Sequence, residues 1–271
     1  MLENVNLKLK LSREEYSQAL PKLQRRLNDL EKACWDHKVA SMVVFEGWDA
    51  SGKGGAIATL TQRLDPRGFK LHPIHDPNEV EHNYPWLWRF WQQVPNRGEM
   101  AIFDRSWYSR VLADRVENLV TEDEWRAAYS DINDFERMHA ADGTVIVKFF
   151  LHIGKKEQSR RFDKLAANPL EAWRVTKQDR ARHKKYDQYA EAIEDMLELS
   201  EAEYAPWTIV EAASRHWARK KILETIIRAF EHRLGSNTPH DASGESLARE
   251  ADLRAAMDSI EPQTDSHEVT L

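Results

Sequence analysis

A glycine-rich loop between an apolar strand and a helix is the feature that most constrains this chain. Residues 47–55 read Gly-Trp-Asp-Ala-Ser-Gly-Lys-Gly-Gly. The apolar run at 41–44 predicts a buried strand before the loop, and residues 56–60 predict the first turns of a helix after it. In that order the loop N–H groups and the helix N-terminus face an anion, and the lysine reaches its outer oxygens. The sequence therefore predicts a phosphate-binding loop.

This loop matches the Walker A pattern as far as Lys53 and then departs from it. Gly54 stands where a Ser or Thr hydroxyl ordinarily holds Mg²⁺. Asp49, inside the loop, is the nearest side chain that could hold the metal instead. The other predicted phosphate contacts of the loop are Gly47, Ala50, Ser51, Gly52, Gly54 and Gly55.

A second group of charged residues follows the predicted third strand, Met100–Phe103. Asp104 comes directly after it, as in the Walker B arrangement, at the strand edge where ligands bind in open α/β sheets. Asp104 and Asp49 can share Mg²⁺, which prefers carboxylate oxygens and water. Two arginines can clamp the phosphate of an acceptor. The predicted catalytic residues are Asp49, Lys53, Asp104, Arg105 and Arg110.

Strands alternate with helices over residues 1–235, which predicts one α/β domain with helices on both faces of its sheet. Capping boxes at Ser12 and Thr121 begin helices that we expect to reach about residues 38 and 141. Strands are predicted at residues 41–46, 69–75, 100–103, 144–153 and 207–210. The other predicted helices are at residues 56–64, 84–94, 187–200 and 214–234. Residues 236–271 are polar and rich in turn residues, which indicates a tail.

Charge is unevenly distributed along the chain. The net charge of −6 excludes a protein that coats nucleic acid. Residues 155–185, however, contain eleven Lys and Arg against four Asp and Glu, a local excess of +7. An isolated solvated helix usually mixes the two signs. So large an excess near a phosphate loop indicates a polyanionic ligand.

The cysteine content and the apolar runs indicate the cellular compartment. Cys34 is the only cysteine, so no disulfide framework is possible. No apolar run approaches the length of a membrane span, and the first residues lack the apolar core of a signal peptide. We therefore expect a soluble cytoplasmic protein without a membrane partner.

Five motifs along the chain form a specific set. They are GWDASGKGG (47–55), YPWLWR (84–89) with QVP (93–95), FDRSWYSR (103–110), KFFLHIGKKEQSRRF (148–162) and APW (205–207). Together they resemble the polyphosphate kinase 2 family, over about residues 12–234. The glycine that follows the loop lysine is the family's own pattern. The loop is most similar to that of AMP-phosphorylating members.

The resemblance implies a thymidylate-kinase-like P-loop kinase fold with a lid after the fourth strand, here at about residues 154–186. It implies Mg²⁺-dependent transfer of the terminal phosphoryl group of inorganic polyphosphate to a purine nucleotide, either AMP or ADP; the sequence leaves open which of the two is the acceptor. Asp49, Lys53 and Asp104 match catalytic positions, and Arg105 and Arg110 match arginines near the transferred phosphate. The lid cations that match contacts to the phosphate chain are Lys156, Arg160, Arg161, Arg174, Lys177 and Arg180. Many members are dimers or tetramers, so a homo-oligomer is expected.

Two other functions are compatible with a phosphate loop. An ATP-dependent nucleoside monophosphate kinase of thymidylate-kinase type would share the loop and the Asp-Arg pair, but it needs few cations and does not explain the excess of +7. A non-catalytic module that binds nucleotide as a regulator would not need Lys53, Asp49 and Asp104 together. The basic segment therefore favours polyphosphate as the phosphoryl donor.

Overall fold

Five parallel strands form the sheet of the computed structural model, which describes residues 2–235. The strands are β1 (Ser41–Gly47), β2 (Phe69–Pro73), β3 (Met100–Asp104), β4 (Val145–His152) and β5 (Trp207–Glu211). Their order is β2-β3-β1-β4-β5, so β1 lies at the centre of the sheet. Its residues are almost entirely buried, as expected for a parallel strand covered on both faces. The predicted α/β fold is confirmed.

Nine α-helices occur within the described residues. They are α1 (Arg13–Asp36), α2 (Lys53–Thr61), α3 (Trp88–Trp91), α4 (Ala113–Val116), α5 (Glu122–Ala141), α6 (Lys155–Ala166), α7 (Lys177–Lys184), α8 (Tyr186–Leu199) and α9 (Arg215–Leu234). Both predicted capping boxes are present, at Ser12 before α1 and Thr121 before α5. A third capping box begins α7, where Thr176 and Asp179 bond reciprocally. These caps satisfy N–H groups that a helix leaves without partners.

The aromatic stretch 84–94 is less helical than its sequence predicts. Only α3 is α-helical there, and a 3-10 turn at Glu81–Asn83 precedes it. Pro85 is the second residue of the stretch and Pro95 directly follows it, and proline lacks the N–H that a continuous helix would use. The prolines therefore limit this segment to one short helical turn.

The strand order brings the predicted site together. β1 pairs with β3 on one side and with β4 on the other, and Phe45 of β1 lies opposite Asp104 of β3. Because all strands are parallel, their carboxyl ends meet at one edge of the sheet. The glycine loop after β1 and Asp104 therefore lie side by side.

The basic segment consists of α6 and α7, joined by a 3-10 turn at Ala172–Arg174 and placed between β4 and α8. This segment covers the residues, about 154–186, for which a lid was predicted, and we call it the lid; its role as a lid stays a prediction. The predicted tail, 236–271, lies outside the described residues. Within residues 2–235, none of the helices combines the length and the apolar character that a membrane crossing requires.

Candidate active site

The glycine loop packs tightly against β4 at its start and is open further along. Gly47 has φ of 141°, and a Cβ built on it would lie 2.6 Å from the carbonyl oxygen of Leu151. Only glycine fits there, because both the close approach and the backbone angle exclude a side chain. By contrast, a Cβ on Gly52 or Gly54 would meet nothing within 4 Å. The backbone at these two glycines therefore lies beside open space that a phosphate could enter.

Lys53 is the first residue of α2, and its side chain folds back over the loop. Its Nζ donates to the carbonyl oxygens of Gly47 at 2.7 Å and Trp48 at 3.2 Å. Burial lowers the pKa of the Lys53 ammonium, and the nearby Arg105 adds to the effect. A nearby negative charge favours the protonated form of a lysine, so an anion bound in the loop would raise the pKa of Lys53 again.

Arg161 holds the loop from the side of α6. Its guanidinium donates to the carbonyl oxygens of Ala50 and Ser51, at 3.0 and 2.9 Å, and to those of residues 212–213. It also pairs with Glu157 at 2.7 Å, and it is only 6% exposed. The sequence predicts a phosphate contact for Arg161, but Nη1 donates to the loop itself, Nη2 to residues 212–213 and Nε to Glu157. In this arrangement it positions the phosphate loop.

Hydrogen bonds of Gln158 also join the loop to the lid. Gln158 of α6 donates from Nε2 to the carbonyl oxygen of Asp49 at 3.1 Å. Its Oε1 lies 2.6 Å from Nδ1 of His183 in α7. Gln158 therefore connects the phosphate loop with both lid helices. It was not predicted, because a lone glutamine in a basic segment has no distinguishing pattern.

Trp48 fixes the loop to the far end of the lid. Its indole N–H donates to Nδ1 of His152 at 2.9 Å. Its ring stacks on Tyr186, with centroids 3.9 Å apart and an angle of 7° between the planes. Tyr186 begins α8, directly after the lid, and its hydroxyl donates to the carbonyl oxygen of Ile153. Both ends of the lid are therefore packed against the loop and β4.

The predicted carboxylates and Arg105 meet at the sheet edge. Arg105 donates from Nη2 to Oδ1 of Asp49 at 2.8 Å, and Arg182 of α7 lies 3.9 Å from Oδ2. Arg105 has φ of 64°, an uncommon backbone conformation for a residue with a side chain. The carboxylate of Asp104 makes no hydrogen bond or ion pair with any residue of 2–235.

These two carboxylates fit a magnesium ion. Mg²⁺ is usually held by one or two carboxylates together with phosphate oxygens and water, rather than by a complete protein cage. Residues 2–235 contain no cluster of three or more His, Cys, Asp or Glu suited to a metal, so Mg²⁺ at this site stays a prediction. Asp104 has free lone pairs, whereas Asp49 is paired with Arg105 at 2.8 Å, a contact that a metal would have to replace.

A buried carboxyl that the sequence analysis missed lies beneath this edge. Glu46, the penultimate residue of β1, is 5% exposed and accepts a hydrogen bond from Ser106 Oγ at 2.8 Å. Burial raises its pKa, although the Ser106 bond and the charges of Lys53 and Arg105 oppose that rise. A charged residue at the end of an otherwise apolar strand was the available signal.

A cleft of about 1010 Å³ opens in front of the loop. Arg110 borders it, 3.4 Å from Glu124 and 5.7 Å from the centre of the Trp86 ring. Arg89 and Arg182 also border it. In Arg110 and Arg182 the buried Nε has no hydrogen-bond partner among residues 2–235, and that of Arg89 lies 3.5 Å from the Glu81 carboxylate. Buried donors without partners are costly, so the cleft suits an anionic ligand.

Most of the predicted lid arginines are already paired with acids of the same segment. Arg160 lies 2.7 Å from Glu157, Arg174 lies 3.1 Å from Glu171, and Arg180 lies 3.3 Å from Asp163. Exposed ion pairs of this kind contribute little and exchange readily. Lys156 and Lys177 are exposed and make no ion pair within the described residues. Their contacts with phosphate stay predictions.

The comparison with protein families identifies the family. Residues 10–237 of the chain match the sequence pattern of the family Polyphosphate kinase 2. The chain belongs to the polyphosphate kinase 2 family. The crystal structure of polyphosphate kinase 2 from Arthrobacter aurescens TC1 has a TM-score of 0.83 and 27% sequence identity to this chain, over 94% of this chain and 93% of that chain. Both the predicted family and its P-loop kinase fold are confirmed.

Curated relatives in this family carry phosphotransferase names. "Polyphosphate:AMP phosphotransferase" of Pseudomonas syringae pv. tomato is 44% identical over 85% of this chain and 46% of the relative. "AMP/ADP-polyphosphate phosphotransferase" of Meiothermus ruber is 39% identical over 78% of this chain and 79% of the relative. The chain spans about half the length of the polyphosphate:AMP phosphotransferases that it matches.

Proposed function

We propose that this polyphosphate kinase 2 chain transfers the terminal phosphoryl group of inorganic polyphosphate to a purine nucleotide, converting AMP to ADP and also ADP to ATP. The observation that carries the proposal is the meeting of Asp49, Asp104 and Arg105 at the sheet edge, beside Lys53 of the phosphate loop. The names of its relatives support polyphosphate as the donor and AMP or ADP as the acceptor.

Phosphoryl transfer needs positioning and charge neutralisation more than covalent catalysis. In the proposed reaction an oxygen of the acceptor's phosphate attacks the terminal phosphorus of polyphosphate. The bond from that phosphorus to the bridging oxygen breaks, and the shortened chain leaves with the electron pair. The loop N–H groups and Lys53 would hold the donor's end, while Arg105 and Arg110 would hold the acceptor's phosphate.

Asp49 and Asp104 would hold the proposed Mg²⁺. When bound, Mg²⁺ neutralises negative charge on the phosphate oxygens. Arg105 would then be released from its 2.8 Å pairing with Asp49 and become available to a phosphate.

The basic lid supports polyphosphate over ATP as the donor. A polyphosphate chain carries roughly one charge per phosphate, so its affinity should depend on many cations and on salt. The exposed lid pairs, such as Arg174 with Glu171, are weak enough for a polyanion to replace. An ATP-dependent kinase of thymidylate-kinase type would need only a few of them. A homo-oligomer and a cytoplasmic location are further parts of the proposal, which the sequence alone supports.

The decisive experiment is a panel of donors and acceptors. Long-chain polyphosphate and ATP are compared as donors, with AMP, ADP, GMP and GDP as acceptors, with and without Mg²⁺. We expect ADP to form from AMP and polyphosphate only with Mg²⁺, and the variant Lys53→Met serves as the inactive control. Turnover with ATP and none with polyphosphate would instead support the nucleoside monophosphate kinase.

A further inference from the structure

The start of α9 brings two arginines to the phosphate loop. Nη2 of Arg219 lies 3.1 Å from the position that a Cβ on Gly55 would take, so the guanidinium rests on the first turn of α2. Arg215 lies four residues earlier on the same helix, and therefore on the same face. It is also close enough to repel Arg161, whose pKa is lowered by burial first and by Arg215 to a smaller extent. Both arginines belong to the loop's surroundings, outside the lid.

Neither arginine is neutralised within the described residues. Arg215 is exposed and Arg219 is half-buried, and no acid of residues 2–235 pairs with them. The two lysines that follow in α9 behave differently, because Lys220 pairs with Glu224 and Lys221 pairs with Glu211. Cations near the N-termini of α2 and α9 are also opposed by both helix dipoles. The arrangement is unfavourable by itself and becomes favourable when an anion lies between these groups.

The N-terminal segment runs past this position. The ring of Tyr16 stacks on His216, with centroids 4.5 Å apart and an angle of 9° between the planes, so α1 begins beside the start of α9. Earlier in the chain, Cδ1 of Leu7 lies 3.8 Å from the position that a Cβ on Gly154 would take. These two contacts fix the segment between the base of the lid and the start of α9.

The same segment carries three cations. Lys8, Lys10 and Arg13 are exposed, and none pairs with an acid in the part of the chain that the structure describes. The leucines that alternate with them, Leu9 and Leu11, are half-buried and hold the segment against the domain. These three cations therefore lie on the segment that runs from the base of the lid to the start of α9, where Arg215 and Arg219 are.

We propose that Arg215 and Arg219, continued by Lys8, Lys10 and Arg13, bind the part of a linear polyphosphate that extends beyond the loop. This inference rests on the proposed function and names a donor subsite outside the lid. The loop and Lys53 hold the end that reacts, and the cations of α9 and the N-terminal segment hold distal phosphates. The site therefore selects donors longer than the loop alone can hold.

The test compares long-chain polyphosphate with tripolyphosphate as donors to AMP, in the wild-type protein and in the double variant Arg215→Gln/Arg219→Gln. For the long chain we expect KM to rise between about twofold and thirtyfold, if each contact contributes as an exposed ion pair does. For the long chain, the slope of log KM against log salt concentration should decrease by about 1.4, since each of the two lost phosphate contacts removes about 0.7 from that slope. The kcat and the KM for tripolyphosphate should change far less.

Matched controls separate binding from folding. Arg228→Gln removes an exposed arginine from the far end of the same helix and should leave every parameter unchanged. Arg215→Lys/Arg219→Lys keeps both charges and should restore the long-chain KM. Arg215→Gln alone changes only an exposed position, and it is used if the double variant has a lowered unfolding midpoint.

Each outcome decides between the two proposals. If wild type uses polyphosphate and the variant raises only the long-chain KM, the distal subsite is supported. If wild type is active and KM is unchanged for both donors, the subsite is wrong while the proposed function stands. An equal loss of kcat with both donors would show that the arginines shape the loop, which also overturns the subsite. If wild type does not use polyphosphate at all, the proposed function fails and the subsite with it.

Discussion

A buried ion pair behind the arginines of the site offers a sharp test of the energetics. Lys148 Nζ lies 2.8 Å from Glu136 Oε2, and the two side chains are 0% and 1% exposed. Lys148 also donates to the hydroxyl of Tyr108 at 2.9 Å and to the carbonyl oxygen of Ser200 at 2.8 Å. Trp107 and Tyr108 both donate to Glu136 Oε1. These two aromatic residues lie between Arg105 and Arg110, so the pair supports the segment that carries them.

Replacing Lys148→Met removes three hydrogen bonds and leaves the Glu136 carboxylate buried without an opposite charge. Breaking a buried pair from one side typically costs about 3–5 kcal/mol. That is a large part of the roughly 5–15 kcal/mol by which a domain is stable. The double variant Lys148→Met/Glu136→Gln removes the lone charge and keeps an amide oxygen for Trp107 and Tyr108. We expect it to recover most of the loss.

The measurement is urea unfolding at neutral pH, with linear extrapolation to water for the four members of the cycle. The matched control is Lys32→Met, because Lys32 pairs with Asp36 at 2.7 Å while exposed by 74%. That exposed pair should contribute at most about 1 kcal/mol. If Lys148→Met cost no more than the control, or if the double variant were less stable than either single variant, the account of this pair would be refuted.

Three further predictions concern the loop, the metal and pH. Asp104→Asn and Asp49→Asn should each lower kcat by at least about 10²-fold in steady-state assays, and near-wild-type turnover at limiting Mg²⁺ would contradict the metal assignment. Arg161→Gln should release the loop and lower kcat by up to about 10²-fold, whereas unchanged kcat would show that the loop holds its shape without it. Burial raises the pKa of Glu31 to about 7, so between its ordinary value and about 7 the folded protein keeps a proton that the unfolded chain has lost. The free energy of unfolding should therefore decrease by about 1–3 kcal/mol from pH 4.5 to 7. Glu31→Gln should remove that decrease in urea titrations at several pH values, and an identical pH dependence would contradict the assignment.

The phosphate loop, the helix caps and the strands could be predicted from sequence because their causes are local. A strand followed by glycines and a lysine has few other conformations available, and a capping box satisfies its own N–H groups within four residues. Asp104 was predictable for the same reason, since it directly follows the apolar run 100–103 and ends β3. Family motifs extended this reasoning to the proposed activity.

Which partners each arginine contacts was decided by the tertiary structure. Arg160 and Arg161 are adjacent in a basic helix, yet the first is 65% exposed and paired with one acid, while the second is buried against four carbonyl oxygens. Helical geometry turns neighbouring side chains about 100° apart, and only the packing of α6 on the loop determines which one faces inward. The approach of Arg219 to Gly55, 164 positions away in sequence, has the same cause. A guanidinium carries its charge wherever it lies, but the acid, carbonyl oxygen or phosphate that it meets depends on which elements the fold brings together.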